Sequence, residues 1–172
     1  GAVHLLDEAT GEYNKSYMEK YFPDGSGVLI KGIGRIQGFM VREGNPLHIR
    51  DFSDIVNVKY VNRQRGAGTR ILCDCLMKKH GISPGEINGY RNEKYTHTAV
   101  AAFIASGSAD AGLGIFSAAK MYGLDFIPIC NEEYDFLIDK NYLDDPRVKI
   151  FLEVLRSDEL KERMTEAGGY SF

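Results

Sequence analysis

Tyr60-Val61-Asn62-Arg63-Gln64-Arg65-Gly66-Ala67-Gly68-Thr69-Arg70 reads as the end of a β-strand, a glycine-spaced turn and the opening of a helix that runs through Ile71, Leu72, Cys75 and Leu76. A turn of this kind leaves backbone N–H groups unpaired at a helix N-terminus, where the helix dipole favours negative charge. Gly66 and Gly68 let the backbone come close to a ligand. Thr69 adds a hydroxyl, and Arg63, Arg65 and Arg70 add guanidinium forks that match oxyanion geometry. The same residues also fit an ordinary strand-to-helix turn with solvated arginines. Three arginines and a threonine around one Gly-x-Gly turn weight the reading toward a site for a small anion, or for an anionic group on a larger ligand.

Outward from this turn the chain alternates strand and helix. Upstream, Gly27 to Lys31 and Arg35 to Arg42 read as strands, Asn14 to Tyr21 as a short helix, Ile49 to Ile55 as a helical turn and Val58 to Asn62 as the strand that enters the anion turn. Downstream, residues 69–80 form a helix stopped by Gly81. His97 to Ser106 forms a second helix with Thr96 as its N-cap. Ala109 to Ile115 is a buried strand, and Phe116 to Tyr122 is a helix. Leu124 to Ile129 and Tyr134 to Ile138 are strands, and residues 146–167 form one long amphipathic helix with Val148, Phe151, Leu152, Leu155, Leu160 and Met164 on its apolar side. Strand–helix alternation of this kind implies an α/β fold. Arg35–Arg42 leads into the segment that carries the anion turn and Phe126–Ile138 leads out of it. The pattern predicts two lobes, one of residues 1–34 and 132–172 and one of residues 35–131.

The bulk properties narrow the function. At 172 residues with 44% hydrophobic and 26% charged residues, the chain can build a packed core, which sets global disorder aside. A net charge of -3 argues against nucleic acid as the main partner, so the arginines are a local positive feature on a mildly acidic protein. No apolar run approaches the roughly 20 residues of a membrane span. Three cysteines without framework spacing fit a reducing, cytoplasmic setting. Cys73 and Cys75 lie two apart on a helix and point to different faces, which is poor geometry for a shared metal. His4 and Asp7 find no partner of matching spacing in His48 or His80, so no metal site is expected.

The segments HLLDEATGEYN (4–14), GNP (44–46), VNRQRGAGTR (61–70), YTHTAVAAFIASGSADAGLGI (95–115) and GLDFIPICNEEYDFLI (123–138) together resemble the PBP-like domain of the type II periplasmic-binding-protein superfamily. That domain occurs fused to MoeA-type molybdopterin biosynthesis proteins and to helix-turn-helix regulators. The resemblance implies two lobes joined by two crossing strands, with ligand held at helix N-termini. It places Arg65, Gly66, Ala67, Gly68 and Thr69 among the second-lobe donors, with Asn62 and Arg63 leading into them and Thr96 and His97 opening the next helix. For Thr96 and His97, capping and packing stand level with a ligand role. Members of the family carry further sequence ahead of GAVHLLD. The first lobe is therefore expected to be truncated, and the segment to pair as a symmetric homodimer through residues 1–40 or the C-terminal helix, covering Leu5, Leu6, Val28 and Ile30.

The function implied is a module that binds or senses a small anion, molybdate, tungstate or a phosphorylated pterin, and that is linked to molybdenum-cofactor biosynthesis or its regulation. Its partner would be a fused or separate cofactor-assembly or DNA-binding domain. No cofactor and no membrane partner are expected. The alternative is a domain of a molybdopterin biosynthesis enzyme that contributes to molybdenum insertion; the nearest catalytic reading of the residues themselves is phosphate-group chemistry at the arginine turn, with His97 as acid or base. Asp110 on its buried strand needs a cation, and Arg65 or Arg70 is the expected partner. Glu132 and Tyr134 either touch ligand or belong to a solvated turn.

Overall fold

The computed structural model describes residues 1–172. The chain divides into two compact units, one formed by Gly1–Arg35 with Glu132–Phe172 and one by Ile36–Asn131. In chain order the elements are β1 (Ala2–Val3), α1 (Lys15–Tyr21), β2 (Gly27–Val41), β3 (Tyr60–Arg63), α2 (Gly68–His80), β4 (Glu93–Lys94), α3 (His97–Ala105), β5 (Ala111–Ile115), α4 (Phe116–Met121), β6 (Asp125–Asp139), α5 (Pro146–Leu155), α6 (Asp158–Ala167) and β7 (Tyr170–Ser171). The fold is mixed α/β. Strands β2 and β6 are each 15 residues long and belong in part to both units. The sequence expectation broke each of them in two.

In the unit of residues 36–131, β5 pairs antiparallel with β2, with Gln37 opposite Ile115 and Val41 opposite Ala111. β3 runs parallel to β5, with Val61 opposite Gly112, and β4 runs parallel to β3, with Arg63 opposite Lys94. Alternating residues of these strands point to opposite faces. Phe39, Val41, Tyr60 and Leu113 pack with Cys73 and Met77 of α2. Met40 and Val61 pack instead with Val100 and Ile104 of α3 and with Ala118 and Ala119 of α4. A sheet covered on both faces buries its strands completely, which accounts for their continuous apolar runs. Gly112 is required at the β3 contact, because a Cβ there would stand 2.7 Å from Val100 Cγ1 and 2.8 Å from the Val61 carbonyl oxygen.

Helix α2 ends as the sequence implies. Gly81 adopts φ 66 and returns its N–H to the Lys78 and Met77 carbonyls, the left-handed cap that glycine takes without steric cost. Burial drives the buried thiol of Cys73 in this helix up to about 12, so it stays protonated and packs as a small apolar group beside the Tyr60 hydroxyl.

In the unit of residues 1–35 and 132–172, β1 pairs antiparallel with β6, with Ala2 opposite Phe136. β7 pairs antiparallel with β2, with Arg35 opposite Tyr170. The fully buried hydrophobic residues of the chain lie between Phe39 and Ala119, whereas this unit buries Asn14, Glu132 and Asp135. Asn14 donates to Asp135 Oδ2 at 2.9 Å and accepts from the Leu5 N–H at 2.8 Å. Leu5, Leu6, Val28 and Ile30, expected to be covered by a second copy, are half-buried within this chain.

The long C-terminal helix is corrected. It is two helices, because Ser157 leaves helical geometry and its hydroxyl accepts from the Leu160 N–H at 3.2 Å, capping α6. Asp158 and Glu159 follow in the first turn of α6, where the dipole favours acids.

Candidate functional site

Three parallel strands, β5, β3 and β4, end on one edge of the 36–131 unit; β5 passes directly into α4, and β3 and β4 reach α2 and α3 through the short loops 64–67 and 95–96. Ligands of open α/β sheets sit outside the carboxyl ends of such strands. The loops after β3 and β4 leave side by side. The Gln64 N–H donates to the Lys94 carbonyl at 3.2 Å, and Arg63 Nη2 donates to the Tyr95 carbonyl at 3.2 Å. Arg63 therefore ties the two loops together, with its Nε on the Gln64 side chain at 3.2 Å.

At the start of α2 no side chain caps Ala67, which holds extended backbone angles. The Arg70 and Ile71 N–H groups return to the Ala67 carbonyl at 2.9 and 3.0 Å, and the Ala67 N–H goes to Gln64 at 3.2 Å. The N–H groups of Gly66, Gly68 and Thr69 are left with no acceptor in the loop and no capping side chain. These are the orphan donors of a helix N-terminus, and they carry its positive dipole end. Gly66 reaches φ 84, which the tight turn requires. Arg65 is exposed beside it and enters no ion pair.

The remaining expected residues take other positions. Thr69 is 2% exposed, and its hydroxyl donates to Gln37 Oε1 at 2.9 Å. Gln37 lies on β2 opposite the last residue of β5 and is fully buried. Only the spatial pairing of β2 with β5 brings it here, and no sequence signal marks it. Asn62 is buried too. Its amide donates to the Tyr90 carbonyl at 3.0 Å and its oxygen accepts from the Arg63 N–H at 3.0 Å, so it shapes the loop.

Arg70, expected among the anion-binding forks, is corrected. Its Nε bonds Asp74 at 3.2 Å, its Nη1 bonds Glu93 at 2.8 Å and the Arg63 carbonyl at 3.1 Å, and its guanidinium lies 4.3 Å from the centre of the Tyr90 ring. Although burial alone would weaken its charge, the Tyr90, Glu93 and Asp74 contacts raise its pKa, and it is consumed as a scaffold cation. The Asp110 expectation is corrected as well. Its partners are Arg42 at 3.3 Å and the Lys59 N–H at 2.8 Å, because β5 runs beside β3 and starts next to Lys59.

At the start of α3, Thr96 is exposed and its Oγ1 accepts from the Ala99 N–H at 3.0 Å, the capping role. His97 is half-buried and lies over β5, where a Cβ on Gly114 would stand 3.6 Å from its Nδ1.

A second polar group lies in the other unit. Glu132 is 1% exposed, and its carboxylate takes Nδ1 of His4 at 2.8 Å on one oxygen and Nε of Arg35 on the other. The His4 ring stacks on Tyr134 with centroids 5.1 Å apart and planes 14° apart, and the Arg35 guanidinium lies 4.6 Å from the same ring centre. Burial would raise the Glu132 pKa, but the hydrogen bonds and charges of His4 and Arg35 outweigh it and hold the carboxyl below the ordinary glutamate value. His4 and Glu132 are 128 residues apart in the chain, so their spacing carries no signal. No group of three or more His, Cys, Asp or Glu side chains is placed to hold a metal ion, and no helix is long and apolar enough to cross a membrane.

A family model described as a PBP superfamily domain matches residues 1–156. YvgK of Bacillus subtilis strain 168 is 33% identical over 171 residues, covering 98% of this chain and 55% of YvgK. The chain thus spans about half the length of that relative. A Clostridium pasteurianum protein from the 5' region of a 2Fe-2S ferredoxin gene is 34% identical over 101 residues, covering 58% of this chain and 89% of that protein. Among solved structures, PEB3 with L-phospholactate bound superposes with a TM-score of 0.60 at 20% identity, covering 84% of this chain and 68% of PEB3, a protein of Campylobacter jejuni. The regulatory domain of Synechocystis CcmR in complex with 2-PG superposes with a TM-score of 0.61 at 15% identity, covering 76% of this chain and 65% of that one. The effector-binding domain of QuiR in complex with shikimate gives 0.60 at 18% identity, covering 76% and 64%. At these identities the likeness is one of fold.

Proposed function

The chain belongs to the periplasmic-binding-protein superfamily, and from that premise we propose that it binds and senses a small anionic ligand at the carboxyl ends of β3 and β4. One observation carries the reading: the N–H groups of Gly66, Gly68 and Thr69 open an uncapped helix beside Arg65, an exposed arginine with no ion pair. Backbone donors, a dipole end and a free guanidinium supply what an anion needs and require no acid–base pair. PEB3, QuiR and CcmR, which share the fold, hold L-phospholactate, shikimate and 2-PG, and that proteins of this fold bind small ligands supports the reading.

The finer reading names molybdate, tungstate or a phosphorylated pterin as the ligand. It sets the chain in the cytoplasm beside a fused or partner domain of molybdenum-cofactor assembly or of DNA binding, with a homodimer as its assembled form. The alternative remains a domain of a molybdopterin biosynthesis enzyme that contributes to molybdenum insertion. Thermal melts with molybdate, tungstate, sulfate, phosphate, L-phospholactate and shikimate separate these readings. A ligand at 100 times its Kd stabilises by about 2.7 kcal/mol, a rise of roughly 5–11 °C for a chain of this size. Arg65→Ala removes a charge-assisted hydrogen bond and is expected to weaken binding about 10- to 150-fold, with little change in the ligand-free melting temperature. A panel with no stabilising ligand, or a variant that binds as the parent does, overturns the site.

A further inference from the structure

We infer that the homodimer read above, on which this inference rests, closes through the outer face of α5, packed antiparallel on α5 of a second copy of this chain. Helix α5 is apolar on two sides. Val148, Leu152 and Leu155 form a half-buried side. Ile150, Phe151 and Val154 form a second side and are 60%, 37% and 54% exposed. They lie one, three and four residues apart, which puts them on a single stripe. The next helix, α6, turns only charged and polar side chains outward, with Leu160 and Met164 half-buried. The other residues expected at a dimer contact, Leu5, Leu6, Val28 and Ile30, are half-buried within one chain. Helix α5 is left with the contiguous exposed apolar surface, and a surface of that kind marks a contact site.

Shape and charge both point to a second copy as the occupant. A groove of about 460 Å³ runs beside the stripe, walled by Phe136, Ile138, Tyr142, Val148 and Phe151. Phe151 belongs to both surfaces, and its ring meets Phe136 edge-on with centroids 4.8 Å apart. Ile150 and Val154 protrude on one side of Phe151 and the groove opens on the other. A two-fold axis turns the protrusion of each copy toward the groove of the other, which is the self-complementarity that a symmetric contact needs. The charges choose the direction. At about 100° per residue, Glu153 and Lys149 lie on the same flank of Ile150, about 60° and 100° away. An antiparallel pair centred between Ile150 and Phe151 brings Lys149 to within one residue of level with Glu153 of the second copy, twice over. A parallel pair would set lysine on lysine and glutamate on glutamate. Lys149 now reaches Asp144 at 3.0 Å, an ion pair in water that holds it weakly. Arg147, at the end of the stripe, brings its own counter-charge in Asp145 at 2.7 Å.

Sedimentation equilibrium of the 172-residue protein, from micromolar to sub-millimolar concentration, tests the contact. A helix of 10 residues is short, so the contact is small and the dimer is expected to dissociate in the micromolar range. Ile150→Asp and Val154→Asp replace exposed side chains, and each is expected to raise the dissociation constant about tenfold or more with unchanged circular dichroism. Lys149→Glu sets glutamate against Glu153 of the second copy and is expected to weaken the dimer about threefold or more. Adding Glu153→Lys to it restores the pairing with the signs exchanged, and is expected to recover the parent's dissociation constant. A parent that sediments as a monomer throughout overturns the homodimer and this face together. A dimer that survives both aspartate variants unchanged overturns this face and leaves the homodimer standing. A dimer that the aspartates break, but that the charge exchange does not restore, overturns the antiparallel arrangement. Ligand binding at the Gly66–Thr69 cradle lies in the other unit and is read separately by the melts above.

Discussion

Thr69→Val tests whether the threonine at the start of α2 is part of the scaffold. Valine keeps the shape and the β-branching of threonine, so neither volume nor helix propensity changes appreciably. What is lost is the O–H that donates to Gln37 Oε1 at 2.9 Å. Gln37 is fully exposed to no solvent at all, being 0% accessible, and Thr69 is 2% accessible, so water cannot replace the missing donor. A hydrogen bond of this kind contributes about 0.5–1.5 kcal/mol net, and each kcal/mol moves the melting temperature of a chain this long by about 2–4 °C. The expected fall is therefore about 1–6 °C without any ligand present. Differential scanning calorimetry of the ligand-free protein measures it. A double-mutant cycle with Gln37→Leu is expected to show a coupling of about 0.5–3 kcal/mol between the two side chains. A Thr69→Val protein that melts within a degree of the parent, or costs that simply add, would refute the buried pair and return the hydroxyl to the ligand.

Gly112→Ala is expected to destabilise by about 1–3 kcal/mol in urea unfolding, because the added methyl meets β3 backbone at Val61 and the Val100 side chain, neither of which can withdraw without moving the sheet. Ser157→Ala removes the cap of α6 and is expected to cost about 0.5–2 kcal/mol, with a small loss of helical circular dichroism; an unchanged melting curve would mean that the α5–α6 break needs no cap. For Glu132 the folded-state pKa is depressed, so its contribution is fully present above the ordinary glutamate value near about 4.3 and is lost as pH falls below it. Glu132→Gln is therefore expected to flatten the dependence of melting temperature on pH in that acid range and to lower stability at neutrality; a parent-like acid profile would show that Glu132 contributes nothing to it.

Local chemistry made much of this protein legible from its sequence. Thr96 is a cap residue by type, Gly81 a helix stop by its φ freedom, and the strand–helix alternation around Tyr60 to Arg70 an α/β signature, since each depends on neighbours within a few residues. The Gly66–Thr69 turn belongs to the same class, because a helix N-terminus carries its unpaired N–H groups wherever it is placed. Ser157 before Asp158 and Glu159 was an equally local stop-and-start signal, and the apolar stripe that continues across it concealed the break. Strands β2 and β6 run through glycine and polar residues that read as breaks, because partners across the sheet, not intrinsic propensity, hold an extended backbone there. The side-chain partners were decided by tertiary structure alone. Arg70 reaches Glu93 because β4 lies beside β3, Asp110 meets Arg42 because β2 and β3 flank β5, and Glu132 joins His4 to Arg35 across 128 and 97 residues of chain. A charge announces in sequence that it needs a counter-charge, but which one it finds depends on strand order, and strand order is set by how the whole apolar core closes.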